Sequence, residues 1–245
     1  MSLSSELQLF MLAVGLYVFD SMLLLFPNEG ILTSVGKARW HVAFGSDNTR
    51  VRGKEILFPN LFLLHRPIFK LSWNCEGVAR QDPPNAFDWA AQRDRFKGLM
   101  IPVYGIGFAQ FLVFPYVIFF FLTDLSIVLS LAYLYGSIFV ALFLVYRKRE
   151  DFHLSKRKFL SLSFECVVCP PVAVNLIRKI SVGLPELAQD LLVVSQALLE
   201  GEDWNRTKDK FISRIGEEID FEDENTPRFE KLIANRDRLL NEAPL

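Results

Sequence analysis

Apolar positions along this chain gather into long blocks instead of recurring at the roughly 3.6-residue period of an amphipathic helix or the two-residue period of a half-buried strand. A helix rises about 1.5 Å per residue, so crossing a hydrocarbon core of about 30 Å takes roughly 20 residues, with every backbone polar group satisfied inside the helix. Three windows meet that length: 7–26, with Asp20 as its one charge, and 102–122 and 125–146, each without any. Only Thr123 and Asp124 part the second window from the third, which predicts a tight helical hairpin with Asp124 at its tip. The first block has no basic residue before it and no small-residue cleavage pattern after it, so it reads as a retained span and not a signal peptide.

The expected fold class is therefore an α-helical membrane protein with three transmembrane helices, N-terminus out and C-terminus in. A small cytoplasmic β-meander is inserted between spans 1 and 2, and a cytoplasmic helical module closes the chain. Orientation follows from basic residues, which resist translocation. Residues 27–101 carry a net +4, and 147–158 hold six basic residues, Arg147, Lys148, Arg149, Lys156, Arg157 and Lys158, against two acidic ones. The tip at Asp124 has none. The parts are then 1–26, stub and first span; 27–101, β-rich module with a short linking helix; 102–146, hairpin; 147–184, basic juxtamembrane segment; and 185–245, acidic helical module.

Within 27–101 the runs Ile31–Val35, Arg39–Phe44, Glu55–Phe58 and Ile68–Trp73 read as strands, with Gly45-Ser46-Asp47-Asn48 as a loop between two of them. Trp40, Val42 and Phe44 share one face at period two. Asp82-Pro83-Pro84 predicts a turn, and Asn85 a cap for a helix reaching Phe96. The stretch 159–177 is apolar but holds Glu165, Pro170-Pro171 and Asn175. It is expected to reach the membrane interface and restart as a surface helix at Pro171, a fourth span being the alternative. Beyond it the pattern predicts helices over 185–200, 204–219 and from Thr226-Pro227 onward, with net charge -5 over 178–245.

Candidate chemistry is sparse. Asp20 is a carboxylate inside an apolar block, where such a group pairs with a partner or lines a pathway. Tyr104, Gln110, Tyr116, Tyr133 and Tyr135 are possible partners, and Gln110, Tyr133 and Tyr135 are further intramembrane polar candidates. Cys166-Val-Val-Cys169 has a spacing used for zinc or redox work but lacks companion ligands, so buried, reduced thiols are the expectation, with no metal and no cofactor. No phosphate-binding, dinucleotide or hydrolase motif occurs, and no basic excess points to nucleic acid. The expected function is a noncatalytic subunit of a membrane complex in the plasma or bacterial inner membrane, acting as scaffold, assembly or regulatory component. Its partners are the lipid bilayer and other protein subunits, with a homo-oligomer as an option. The alternatives are a transporter or channel component with Asp20 in its pathway, and an interfacial lipid-modifying enzyme using His65, Arg66 or the cysteine pair.

Overall fold

The computed structural model describes residues 5–36, 39–76, 88–121, 123–184 and 189–241. The turn expected at Asp82–Pro84, the cap Asn85 and the helix start at Pro185 lie outside these. The chain folds as two compact units, each assembled from separate stretches: 1–23, 58–67 and 89–185 form the first, and 24–57, 68–88 and 186–245 the second.

The first unit is built on helices. After α1 (Ser5–Ser21) come α2 (Trp89–Arg95) and α3 (Lys97–Phe108), which runs through a π-helical turn (Ala109–Val113) into α4 (Phe114–Phe120) as one apolar rod. Pro115 lacks the N–H that an α-helix would use there, and the backbone widens in the turn before it. The return arm is α5 (Asp124–Arg147), started by a capping box in which the Thr123 hydroxyl accepts from the Ser126 N–H and the Ser126 side chain accepts from the Thr123 N–H. The arms meet along a narrow stripe. Leu99, Val103 and Ile106 on one side and Leu134, Ile138, Ala141 and Val145 on the other are buried at helical spacing. A Cβ at Gly105 would lie 3.4 Å from the Ser137 hydroxyl, so the two rods run close enough here for a side chain to touch. Three further helices, α6 (Lys156–Val168), α7 (Pro170–Ala173) and α8 (Leu176–Val182), complete the unit. Residues 159–177 thus break at Cys169 and restart at Pro170, one residue earlier than expected.

The second unit holds two antiparallel three-stranded sheets. One orders β1 (Leu23–Leu25), β5 (Lys54–Leu57) and β4 (Ser46–Val51) as β1-β5-β4. In the other, β2 (Glu29–Val35) lies between β3 (Arg39–Phe44) and β6 (Ile68–Ser72), with Gly30 opposite both Phe44 and Leu71. Trp40, Val42 and Phe44 alternate inward as the period-two pattern predicts. Between β4 and β5, Arg52 and Gly53 both take positive φ, 53° and 77°, the two-residue turn that suits hairpin twist. Helices α9 (Leu191–Leu198), α10 (Gly201–Phe221) and α11 (Pro227–Asn241) follow. Phe211 of α10 meets Phe44 and Trp73 edge-on at 5.0 and 4.8 Å. A Cβ at Gly30 would come within 2.6 Å of a terminal methyl of Leu191, which lies at the start of α9.

The expectation of three transmembrane helices is overturned, and the molecule is mixed α/β. Two rods, Lys97–Phe120 and Asp124–Arg147, have the length and apolarity of a span, and they pack against each other. The first block divides: α1 stops at Ser21 after 17 residues and the chain turns into β1, whose Leu25 is fully buried. Hydropathy reports burial and not the element that achieves it, so a helix followed by a core strand reads as one long block. The single β-meander is likewise replaced by two sheets. Its extra strand is the expected loop at Gly45–Asn48, where β4 begins at Ser46. A polar strand with exposed residues at Ser46, Thr49, Arg50 and Val51 carries no alternation to recognise.

One charged contact ties the second unit together. Arg214 of α10 donates to Glu55 of β5 at 2.6 Å, and both side chains are almost wholly buried. The same guanidinium donates to the Pro27 carbonyl at 2.7 Å and the Gly45 carbonyl at 3.1 Å, and stands 4.9 Å over the Phe44 ring. Arg50 adds a longer contact to Glu55 at 3.3 Å. Removing one partner of a buried pair strands the other charge, at a cost of about 3–5 kcal/mol, whereas replacing both with apolar residues is far milder. Glu55→Ala is expected to lower stability by that amount in denaturant unfolding of the whole chain, and the double change Glu55→Met with Arg214→Leu by clearly less.

Candidate functional site

The densest polar constellation of the first unit lies where the end of α1, the segment 58–67 and the start of α8 meet. Asn175, which precedes α8, is its hub. Its side-chain nitrogen donates to Asp20 at 3.0 Å and to the Ser21 hydroxyl at 2.9 Å, while its oxygen accepts from Arg178 at 3.1 Å. Arg178 reaches on to the carbonyls of Asn60 and Leu63, and Tyr17 donates to the Leu61 carbonyl. Lys179 sits between two carboxylates, 2.9 Å from Asp20 and 3.0 Å from Glu165.

The electrostatics are those of a clamp. Burial opposes the charge on Lys179, but hydrogen bonds and attraction from Asp20 and Glu165 outweigh it and hold the ammonium above its ordinary pKa. Arg178 is 4% exposed; burial lowers its pKa and Tyr17 opposes the shift, while a guanidinium stays protonated throughout the physiological range. The group therefore fixes three separate chain segments with a neutralised acid, an occupied lysine and an arginine bonded to carbonyls. It offers no free base and no activated nucleophile.

Asp20 lies at the end of α1, and its partners are Lys179 and Asn175 instead of the tyrosines of the hairpin. Tyr104 bonds His65 at 2.6 Å, and partial burial and neighbouring Arg66 keep that imidazole below its usual pKa. Tyr133 is exposed on α5, while Tyr135 lines a cavity together with Gln110. Gln110 stands in the π-helical turn, buried, with both amide atoms unbonded. Among the basic residues, Arg147, Lys156, Arg157 and Lys158 are exposed. Lys148 reaches the Arg95 carbonyl at 3.4 Å, and Arg149 lies 5.7 Å over the Tyr146 ring. Cys166 and Cys169 are free thiols, Cys166 completely buried and pushed by that burial up to about 12. Among the described residues no three His, Cys, Asp or Glu side chains gather as a metal site would require.

The surface helix expected from Pro171 onward would present Val174, Ile177 and Ile180 on one side and Asn175, Arg178 and Lys179 on the other. In the structure Asn175 and Arg178 are as buried as the three aliphatics, while Lys179 is half-buried. The available signal was Asn175 and Arg178 standing three apart among buried-type residues, the spacing that puts two polar groups on one helical face.

If Asn175 is the hub, Asn175→Ala removes several buried bonds at once and is expected to cost about 2–3 kcal/mol in thermal unfolding. Asp20→Asn keeps one acceptor for Asn175 and turns its NH2 toward Lys179, which can stay with Glu165, and is expected to cost about 1 kcal/mol. Equal costs would place the hub elsewhere. Cys166 is expected to resist iodoacetamide at pH 8 in the folded chain and to react once the chain is denatured, as mass spectrometry of the Cys166 peptide would show. Compared with known proteins, the chain matches no family model, no curated protein and no solved structure.

Proposed function

We propose that this chain is a noncatalytic, membrane-anchored component of a larger complex, held in the plasma or bacterial inner membrane by its helical hairpin. One observation carries the reading: in each hairpin arm only 28% of the most apolar stretch is buried within the protein. Ile101, Leu112, Phe120, Leu125, Val128 and Phe139 are all more than half exposed. A core helix of a water-soluble protein covers such side chains, and a contiguous surface of this kind needs lipid or a partner against it. Two crossings leave both ends of the hairpin on one side, and the clusters Arg147–Arg149 and Lys156–Lys158 favour the cytoplasm for that side.

A scaffold, assembly or regulatory role is supported by what the polar groups do. Asp20, the residue on which a transport pathway would depend, is engaged with Lys179 and Asn175. Cys166, on which thiol chemistry would depend, stays protonated, and His65 is bonded to Tyr104. The acidic helix α10 exposes Asp209 and Asp220, and α11 exposes Asp237 beside Arg236, for a protein partner with a basic surface.

The chain is expected to stay with membranes through alkaline carbonate washing and to co-purify in mild detergent with a stable heterologous subunit. Changing Asp209, Asp220 and Asp237 to lysine is expected to release that subunit while leaving the chain in the membrane. Release of the unaltered chain by carbonate would remove the anchor, and recovery of a homo-oligomer alone would remove the complex.

A further inference from the structure

Gln110 is a buried polar residue, both of its amide atoms unbonded, that the clamp and the anchor leave unexplained. It stands near the middle of the Lys97–Phe120 rod, 6% exposed, and neither its side-chain oxygen nor its nitrogen has a partner. It lines a cavity of about 230 Å³ walled by Phe10 and Ala13 of α1, Phe114 and Ile118 of α4, and Leu134 of α5. The walls are otherwise almost entirely apolar, Tyr135 apart. The π-helical turn that carries Gln110 is the kind of helix irregularity that recurs at functional positions.

Leaving a buried polar group unbonded costs about 1–3 kcal/mol, and a leucine at this position would avoid that cost. Water is a poor occupant, because it needs two to four polar partners and these walls supply few. The space exceeds the roughly 150 Å³ of a dry cavity that takes a benzene ring, so it admits a ring or a short run of methylenes. The carboxamide sets a donor beside an acceptor, and a head group carrying the same two functions side by side closes two reciprocal hydrogen bonds with it. An ester or ketone only accepts and leaves the Gln110 oxygen bare. A carboxylate ion would bring an unpaired charge into apolar surroundings.

We infer that this cavity binds a neutral lipophile whose head group places a hydrogen-bond donor next to an acceptor, a protonated fatty acid or a fatty amide. The assignment rests on the membrane reading only for the route by which the ligand arrives. The cavity itself lies wholly within the first unit.

The probe is decanamide carrying a terminal photoreactive diazirine, added to the full-length chain in lipid nanodiscs, with the matching methyl decanoate diazirine as comparison. The amide is expected to label α1 or α4 peptides at least tenfold more than the ester. Gln110→Leu is expected to cut that labelling at least tenfold while melting no lower than the unaltered chain, since it removes an unbonded amide. Ala13→Phe, which fills the cavity and leaves Gln110 in place, is expected to block labelling too. Undiminished labelling in either variant would overturn the assignment, and so would equal labelling by amide and ester. A Gln110→Leu chain that melts well below the unaltered one would overturn it as well, because the amide would then be bonded in the folded protein. Failure of the anchor itself would show separately, in the carbonate wash, and would leave the contrast between amide and ester in place.

Discussion

The packing of the two hairpin arms buries a stripe and leaves the rest of each arm bare. On α5 the buried positions Leu134, Ile138, Ala141 and Val145 run down one side, while Val128, Phe139, Val140 and Phe143 point away from the protein. Fully burying a side chain of this size removes about 1.5–3 kcal/mol of unfavourable contact with water. A surface of a dozen or more such residues left in water forgoes that gain, and lipid or a partner laid against it would recover it. The outward face of the hairpin calls for an apolar covering, which lipid supplies in the proposed anchor.

Placement is what the clamp around Asn175 achieves. Apolar association has little directionality, so helices gathered in lipid can slide and rotate, whereas hydrogen bonds fix position. Asp20 and Ser21 at the end of α1, the carbonyls of Asn60 and Leu63, and Asn175 and Arg178 at α8 are bonded into one group. Each element is held by contacts that a shift of one residue would break. The second unit uses the same device with a different charge balance. Arg214 and Glu55 form a direct ion pair, and the leftover donors of the guanidinium are satisfied by two carbonyls at the turns. Gly45 is required there, because a Cβ would come within 2.3 Å of the Glu55 side chain.

What could be read from the sequence depended on whether burial was periodic. Strands β2, β3, β5 and β6 alternate or carry β-branched and aromatic runs, and their positions were legible to within a few residues. Thr226 and Pro227 announced α11, where the Thr226 hydroxyl accepts from the Phe229 N–H at 3.2 Å. Strand β4 was not legible, being polar and at an edge, and α1 was overextended because Leu23–Leu25 continue its hydropathy as a strand. The clamp was half legible. Asp20 stood out as a charge in an apolar block, but its partners lie more than 150 positions away in a segment whose polar residues resembled a solvated face. Long-range pairing of this kind leaves no local pattern, and only the fold brings it together.

In the proposed anchor the outward surface of the hairpin faces lipid. Nitroxide labels at Val128, Phe139 and Phe143, compared with one at Asp124, test it most directly through collision with oxygen, which partitions into hydrocarbon, and with a water-soluble nickel chelate. Strong oxygen and weak nickel collision are expected at the three apolar sites and the reverse at Asp124. Nickel collision at all four sites as strong as that of a label in open water would contradict it.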